Sequence, residues 1–233
     1  MLNFSVWDSL LRQYVDDQGR VDYGAWQNEQ PDALTPWLAE LASFDLQTQP
    51  DTDFQLAFWV NAYNACAISD VLSRYPIDSI RPRILGVPNW PAFLWFFLKP
   101  TYVVAKRRLS LNQIEHNILR RDFAEPRIHF ALVCASVGCP LLRAGAYWPE
   151  QVRQQLEEDA SRFINNPEKV HYEPETNTLH CSQILKWYRD DFCRVAPSAP
   201  DYIRRYLKTD FSTEPLPQIR YLPYDWSLNQ RKS

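Results

Sequence analysis

Phe54-Gln55-Leu56-Ala57-Phe58-Trp59-Val60-Asn61-Ala62-Tyr63-Asn64-Ala65-Cys66-Ala67-Ile68 decides how this chain folds. Wound as a helix, it is apolar on nearly every side. A helix that is apolar all round is stable only when buried on all sides, so the rest of the chain must wrap it. The helix is expected from Phe54 to Leu72, with Tyr75-Pro76 ending it. Its interior polar exceptions include Asn61 and Asn64, three apart and so on one face.

Upstream, Trp7, Leu10, Leu11 and Tyr14 recur at helical spacing and Asp17-Gln18-Gly19 stops them. Val21-Asp22-Tyr23 reads as a short extended piece. Leu34, Trp37, Leu38 and Leu41 form the stripe of a second helix, ending before Gln49-Pro50. Downstream, residues 76–100 are rich in proline and aromatics with little periodicity. The run Pro91 to Leu98, closed by Lys99-Pro100, is far too short to span a bilayer. It reads as core or a short buried helix, or as a flap touching a membrane or covering a ligand. Thr101 to Leu109 reads as a hairpin. Ser110 with Gln113 makes a capping box ahead of a short helix carrying Glu115-His116. Ile128-His129-Phe130-Ala131-Leu132-Val133-Cys134 suits a central strand. Pro149 opens a charged helix to about Asn165. A hairpin follows over Val170–Cys181, then helices near Lys186–Phe192 and Ser198–Leu207, and an extended tail over Ile219–Trp226. The expected fold is α+β, a mostly helical single domain over residues 1–233 around a small central sheet.

The 233 residues, 45% hydrophobic and 23% charged, are an ordinary globular mix, able to fold without staples. A formal net charge of -3 argues against a general nucleic-acid binder. With only 5 glycines, no Gly-rich phosphate loop is present. The 5 cysteines, odd in number and unevenly spaced, make a poor disulfide framework, so reduced thiols in a cytoplasmic protein are expected. The first residues, Met1 to Asp8, have neither the basic nor the apolar region of a signal peptide. No transmembrane segment and no cofactor are expected.

The densest polar cluster lies between Glu115 and Cys139. A Cys–His pair can do nucleophilic catalysis, because an adjacent imidazole raises the thiolate fraction. Cys134 stands at the expected strand end. His129 has opposite strand parity, so His116 is the better partner. Cys134 is then the nucleophile and His116 the base. Glu115 or Asn61 orients the imidazole, and the amides of Ala135 to Gly138 bind an oxyanion. Tyr63, Asn64, His129, Ser136, Cys139, Lys186, Trp187 and Tyr188 are candidate ligand contacts. The plainer readings are buried small hydrophobes for Cys134 and Cys139, a satisfied core histidine for His129, and loop-anchoring amides for Asn61 and Asn64. His116, His129, Cys134 and Cys139 match no zinc spacing, so no metal site is expected.

Five stretches carry a resemblance. They are Gln55–Ala65, Leu109–Arg120, Pro126–Pro140, Lys186–Phe192 and Tyr224–Asn229. In this order they resemble the bacterial and plant domain of unknown function 547 family. The resemblance implies an α+β domain whose signature residues gather in these blocks, and no particular reaction. Plant members carry glutaredoxin-like or DEP-type modules, a thiol or signalling context. The run 93–98 is more apolar than the usual family stretch.

Two functions fit these residues. One is a cysteine-centred hydrolase or transferase on a small peptide-like or thiol substrate. The other is a non-catalytic module binding a peptide or metabolite in a polar cleft. A histidine nitrogen within reach of a partly exposed Cys134 sulfur separates the first from the second.

Overall fold

A computed structural model describes residues 2–99, 101–211 and 215–231, apart from the side chains of Arg83 and Ile84. Met1, the first of the residues read above as lacking signal-peptide features, and Pro100, read as the close of the aromatic run, lie outside the described residues. The elements are α1 (Ser5–Tyr14), α2 (Tyr23–Glu29), α3 (Thr35–Ser43) and α4 (Thr52–Leu72), then β1 (Arg83–Ile84), β2 (Val87–Pro88), α5 (Trp90–Leu98), β3 (Tyr102–Val104) and β4 (Arg107–Leu109). A π-helix, Gln113–Phe123, and a 3-10 helix, Pro126–Phe130, follow. The chain ends through α6 (Val152–Ile164), β5 (Val170–Glu173), β6 (Thr178–Cys181), α7 (Ile184–Trp187), α8 (Arg189–Cys193), α9 (Ala199–Arg204) and β7 (Gln218–Tyr221). The sheets are small: the β1–β2 and β3–β4 hairpins, and a three-stranded sheet in which β6 pairs antiparallel with β5 and parallel with β7. The mostly helical α+β class holds.

The centre is α4, with 15 of its 21 residues buried. Asp51 caps it by accepting the Phe54 N–H. Around it, α1, α2 and α3 supply an aromatic wall in which Trp7 stacks on Trp37 and Tyr14 on Trp26. A second apolar cluster gathers Phe130, Phe163, Leu179, Phe192 and Tyr202 from the 3-10 helix, α6, β6, α8 and α9.

Local chemistry accounts for two departures from the sequence reading. Val21 bridges Val15 and Gln230 as expected of extended chain, but the Asp22 carboxylate accepts the Ala25 N–H, so Tyr23 starts a helix. The expected strand over Ile128–Cys134 is absent. The Glu125 carboxylate accepts the Arg127 N–H, and Pro126 fixes the first turn of a 3-10 helix. Beyond it, Asn64 donates to the Ala131 carbonyl at 3.0 Å and accepts the Val133 N–H at 2.9 Å. The backbone groups a strand would offer its neighbours go instead to one buried side chain. With the strand gone, the parity argument against His129 goes too.

Asn61 does equivalent work one turn earlier. Its oxygen accepts the Trp7 indole N–H and the Tyr147 N–H, and its amide donates to the Ala57 and Tyr147 carbonyls. With all four bonds made and no exposure, it is a structural tie between α4, α1 and the chain at Tyr147. Asn61→Ala strands the Trp7 indole and both Tyr147 backbone groups in a dry interior. The expected outcome is a loss of about 2–4 kcal/mol of unfolding free energy, read as a lowered urea midpoint with unchanged slope.

Candidate functional site

The loop after the 3-10 helix carries both candidate thiols, and three constraints shape it. Asn64 holds its entrance, as above. Ala135 is forced to φ +62°, a left-handed conformation that a non-glycine residue adopts only under constraint. The tail then closes over the loop: Val137 and Gly138 donate to the carbonyls of Ser227 and Asp225, and Asn229 donates to the Ala135 carbonyl. Gly138 must lack a side chain, because a Cβ there would meet the Tyr224 ring at 2.7 Å and the Asp225 carbonyl at 2.8 Å.

This clamp brings Cys134 and Cys139 together with their sulfurs 2.8 Å apart, both as free thiols. Cys139 is buried and Cys134 is partly exposed. The Cys139 sulfur accepts the Cys134 N–H at 3.2 Å and the Tyr224 phenol at 3.2 Å, and the Ser136 hydroxyl lies 3.2 Å away. Ser136 and Tyr224 are themselves hydrogen-bonded at 3.1 Å. The Lys169 ammonium, bonded to the Val137 carbonyl, adds positive charge beside the same sulfur. Burial alone would raise the Cys139 pKa, but hydrogen bonds from the Cys134 thiol, Ser136 and Tyr224 pull it below the ordinary thiol value. The Cys134 thiol moves the opposite way, pushed up first by its bond to Cys139 and then by burial. The first proton lost from the pair is therefore favoured at Cys139 over Cys134.

The sulfurs open on a cavity of about 410 Å³ between the two apolar clusters. Its walls are aromatic, with Phe93 and Phe97 of α5, Trp187 and Tyr188 at the end of α7, and Tyr224 and Trp226 of the tail. Across from the sulfurs lies a polar edge. Glu115 accepts from Tyr63 at 3.3 Å and is bonded to Tyr188. Burial drives both phenols well above their ordinary pKa, so they remain protonated donors. His129 stacks on Tyr188 at 3.7 Å and its Nε2 meets Asp191 at 2.8 Å. Burial lowers the His129 pKa against the pull of Asp191. Asp191, which burial alone would raise, is instead held well below the usual carboxylate range by His129 and Arg120. The imidazole is thus neutral with its proton on Nε2, and Nδ1 is a buried acceptor with no partner among the described residues. A larger hollow of about 590 Å³ lies beyond Tyr224–Ser227 but holds neither sulfur.

The structure sorts the expected site residues. Cys134, Cys139, Glu115, Tyr63, His129, Trp187 and Tyr188 line the one cavity. Ser136 sits beneath it on the sulfurs, and Asn61 and Asn64 are buried anchors. His116 is not among the partners of either sulfur; its Nδ1 meets Arg120 at 2.7 Å, and Arg120 continues to Asp191. His129 takes the place in the cavity assigned to His116. Lys186 turns outward, its ammonium over the Tyr221 ring. The amides of Val137 and Gly138 are already spent on the tail, so they make no oxyanion hole. Sequence reasoning missed Asp191 and Tyr224 as site residues, although both stand within the blocks quoted for the resemblance.

A family model described as a protein of unknown function, DUF547, matches residues 48–164. The chain belongs to the DUF547 family. The matched span runs from before α4 to the end of α6 and contains Asn61, Asn64, Glu115, His129, Cys134 and Cys139. Tyr188 and Tyr224 of the cavity, and Asp191 behind His129, lie beyond it. No curated protein and no solved structure matches the chain.

If Tyr224 and Ser136 stabilise a Cys139 thiolate, iodoacetamide should label the native protein well below the ordinary thiol pKa of about 8.5. Tyr224→Phe removes a donor to the charged form, so the labelling midpoint should rise; Gly138→Ala, which displaces the Tyr224 ring, should do the same. Peptide mapping across pH 5 to 9, the range bracketing about 8.5, checks both the residue and the direction.

Proposed function

We propose that this chain is a cysteine-centred thiol–disulfide oxidoreductase acting on a small disulfide-bearing molecule, with Cys139 as the nucleophilic thiolate and Cys134 as the resolving thiol. The observation that carries the reading is the 2.8 Å contact between two free sulfurs at the floor of an aromatic cavity. Cys139 attacks one sulfur of a bound disulfide; the S–S bond breaks and the leaving thiolate takes a proton from solvent. Cys134, losing its proton, then attacks the Cys139 sulfur of the mixed disulfide and releases the second thiol. The substrate disulfide has become two thiols and the protein dithiol a disulfide. A small-molecule thiol reductant resets the pair.

The rest of the cavity fits a peptide-like carrier of that sulfur. The aromatic walls take apolar surface. Glu115 and the unpartnered His129 Nδ1 offer acceptors to amide or ammonium N–H groups, and an unmet buried acceptor is a strong reason to bind a donor. Acyl transfer is the weaker form of the reading: no imidazole meets either sulfur among the described residues, and the Val137 and Gly138 amides are engaged by the tail. That last observation also favours the second reading, a module that binds the same small molecule without chemistry.

The test uses oxidised 2-hydroxyethyl disulfide as probe, with mass spectrometry. The native protein should lose the Cys134 and Cys139 thiols together and gain an internal disulfide. Cys134→Ser should stop at a stable mixed disulfide on Cys139, while Cys139→Ser should react at least about tenfold more slowly, as an unactivated thiol does. Unreacted native protein at neutral pH would leave the binding module as the function.

A further inference from the structure

The surface next to the cavity carries a feature the thiol chemistry does not use. The β1–β2 hairpin turns at Leu85 and Gly86, with φ of +51° and +81°. Such a turn favours Asn or Gly at its first position, yet Leu85 stands there, 99% exposed. Val87 is 65% exposed beside it. The chain then enters α5, capped by Asn89 through the Ala92 N–H. One face of α5 packs inward: Phe96 is buried, and Phe93 meets Trp226 at 4.7 Å. The other face is just as apolar and points to water, with Trp90, Leu94, Trp95 and Leu98 each about half exposed. A contiguous exposed apolar surface of this kind marks a binding site.

Charge says what the surface meets. Residues 79–114 contain six of the chain's 25 lysines and arginines and none of its 28 acids. The stretch is basic along the sequence within a chain of net charge -3; of its cations, Lys99 and Arg81 stand at the tryptophans of the exposed face, while Lys106 and Arg107 line a separate hollow with Asp45. Lys99 lies over the Trp95 ring at 5.0 Å, at the edge of the apolar face, and Arg81 lies over Trp90 at 5.5 Å. Lys106 is partly compensated by Asp45, and the earlier acid Asp70 is tied to Arg74. Tryptophans flanked by cations on a short, non-spanning helix have the chemistry of the bilayer interface: the rings sit at headgroup depth and the cations meet anionic lipid.

We propose that the β1–β2 tip and the outer face of α5 dock this protein on an anionic lipid bilayer. The same helix walls the sulfur cavity with Phe93 and Phe97, and the half-exposed Trp90 belongs to both the cavity lining and the outer surface, so docking sets that wall of the cavity against the membrane. The docking stands independently of the thiol reading, since it needs neither cysteine.

The experiment is co-sedimentation with vesicles of phosphatidylcholine alone and of phosphatidylcholine mixed with phosphatidylglycerol, at low and physiological salt. The full chain should bind the anionic vesicles, less at higher salt, and hardly bind the neutral ones. Leu94→Glu/Trp95→Glu should cut the partition coefficient at least about tenfold. Lys99→Gln should cut it about fivefold on anionic vesicles only. These exposed positions should leave the unfolding midpoint and the Cys139 labelling profile unchanged, which separates failure of docking from failure of the thiol chemistry. Three results overturn the proposal: no anionic-vesicle binding, equal binding to neutral vesicles, or binding that survives the Leu94/Trp95 variant. A concentration-dependent dimer abolished by that variant, without vesicle binding, assigns the face to a second copy instead.

Discussion

Everything in this structure hangs on a helix that has no exposed long face. Because the middle of α4 is enclosed, the polar groups there must be satisfied by chain brought to them, and the two buried amides decide which chain that is. Asn61 reaches Trp7 and Tyr147, and Asn64 reaches Ala131 and Val133. An unpaired amide in such an interior costs on the order of a whole hydrogen bond or more. The requirement therefore fixes the register of segments far away in sequence. The cysteine loop owes its position to Asn64 in this sense. Asn61 and Asn64, first considered as candidates for chemistry, hold the backbone on which the cysteine loop is built.

The loop itself is held under strain. A left-handed Ala135, a glycine pressed against the Tyr224 ring and three backbone bonds to the tail are arrangements that only a surrounding scaffold sustains. Their joint result is electrostatic. Two thiols in contact cannot both ionise, and the one surrounded by donors takes the charge. A buried cysteine is ordinarily inert because desolvation raises its pKa. Cys181, buried without comparable donors and pushed up to about 12, is that ordinary case in the same molecule. The contrast between Cys139 and Cys181 comes from hydrogen-bond donors, since both are buried.

The cavity joins chemistry of two kinds. On one side is sulfur; on the other are a carboxylate held by two phenols and a neutral imidazole fixed by Asp191. Between them the walls are aromatic, and α5 contributes to those walls while keeping a second apolar face outside. A helix apolar on both faces, when only one is covered by the fold, has a stability cost that folding alone does not explain. It makes sense where the uncovered face meets something other than water.

The sequence by itself determined the elements whose signals are local. The all-round apolarity of α4, the stripe of α1, the Ser110–Gln113 box with its two reciprocal bonds, and the hairpins at 101–109 and 170–181 are each written within a few residues. The sulfur and imidazole candidates were legible as residue types gathered in one stretch. Only the tertiary structure decided which of them meet. The apolar run before Cys134 looks like a strand because burial, not strand pairing, makes it apolar; the partner that prevents pairing is Asn64, 67 residues from Ala131. The donors that place the charge on Cys139 include Tyr224, 85 residues away, and the acid that fixes His129 is Asp191, 62 residues away. Periodicity reports whether a residue is buried and how the backbone turns. It carries no information on which distant group supplies the hydrogen bond, and in this site those distant bonds act against burial on the pKa values of Cys139 and His129.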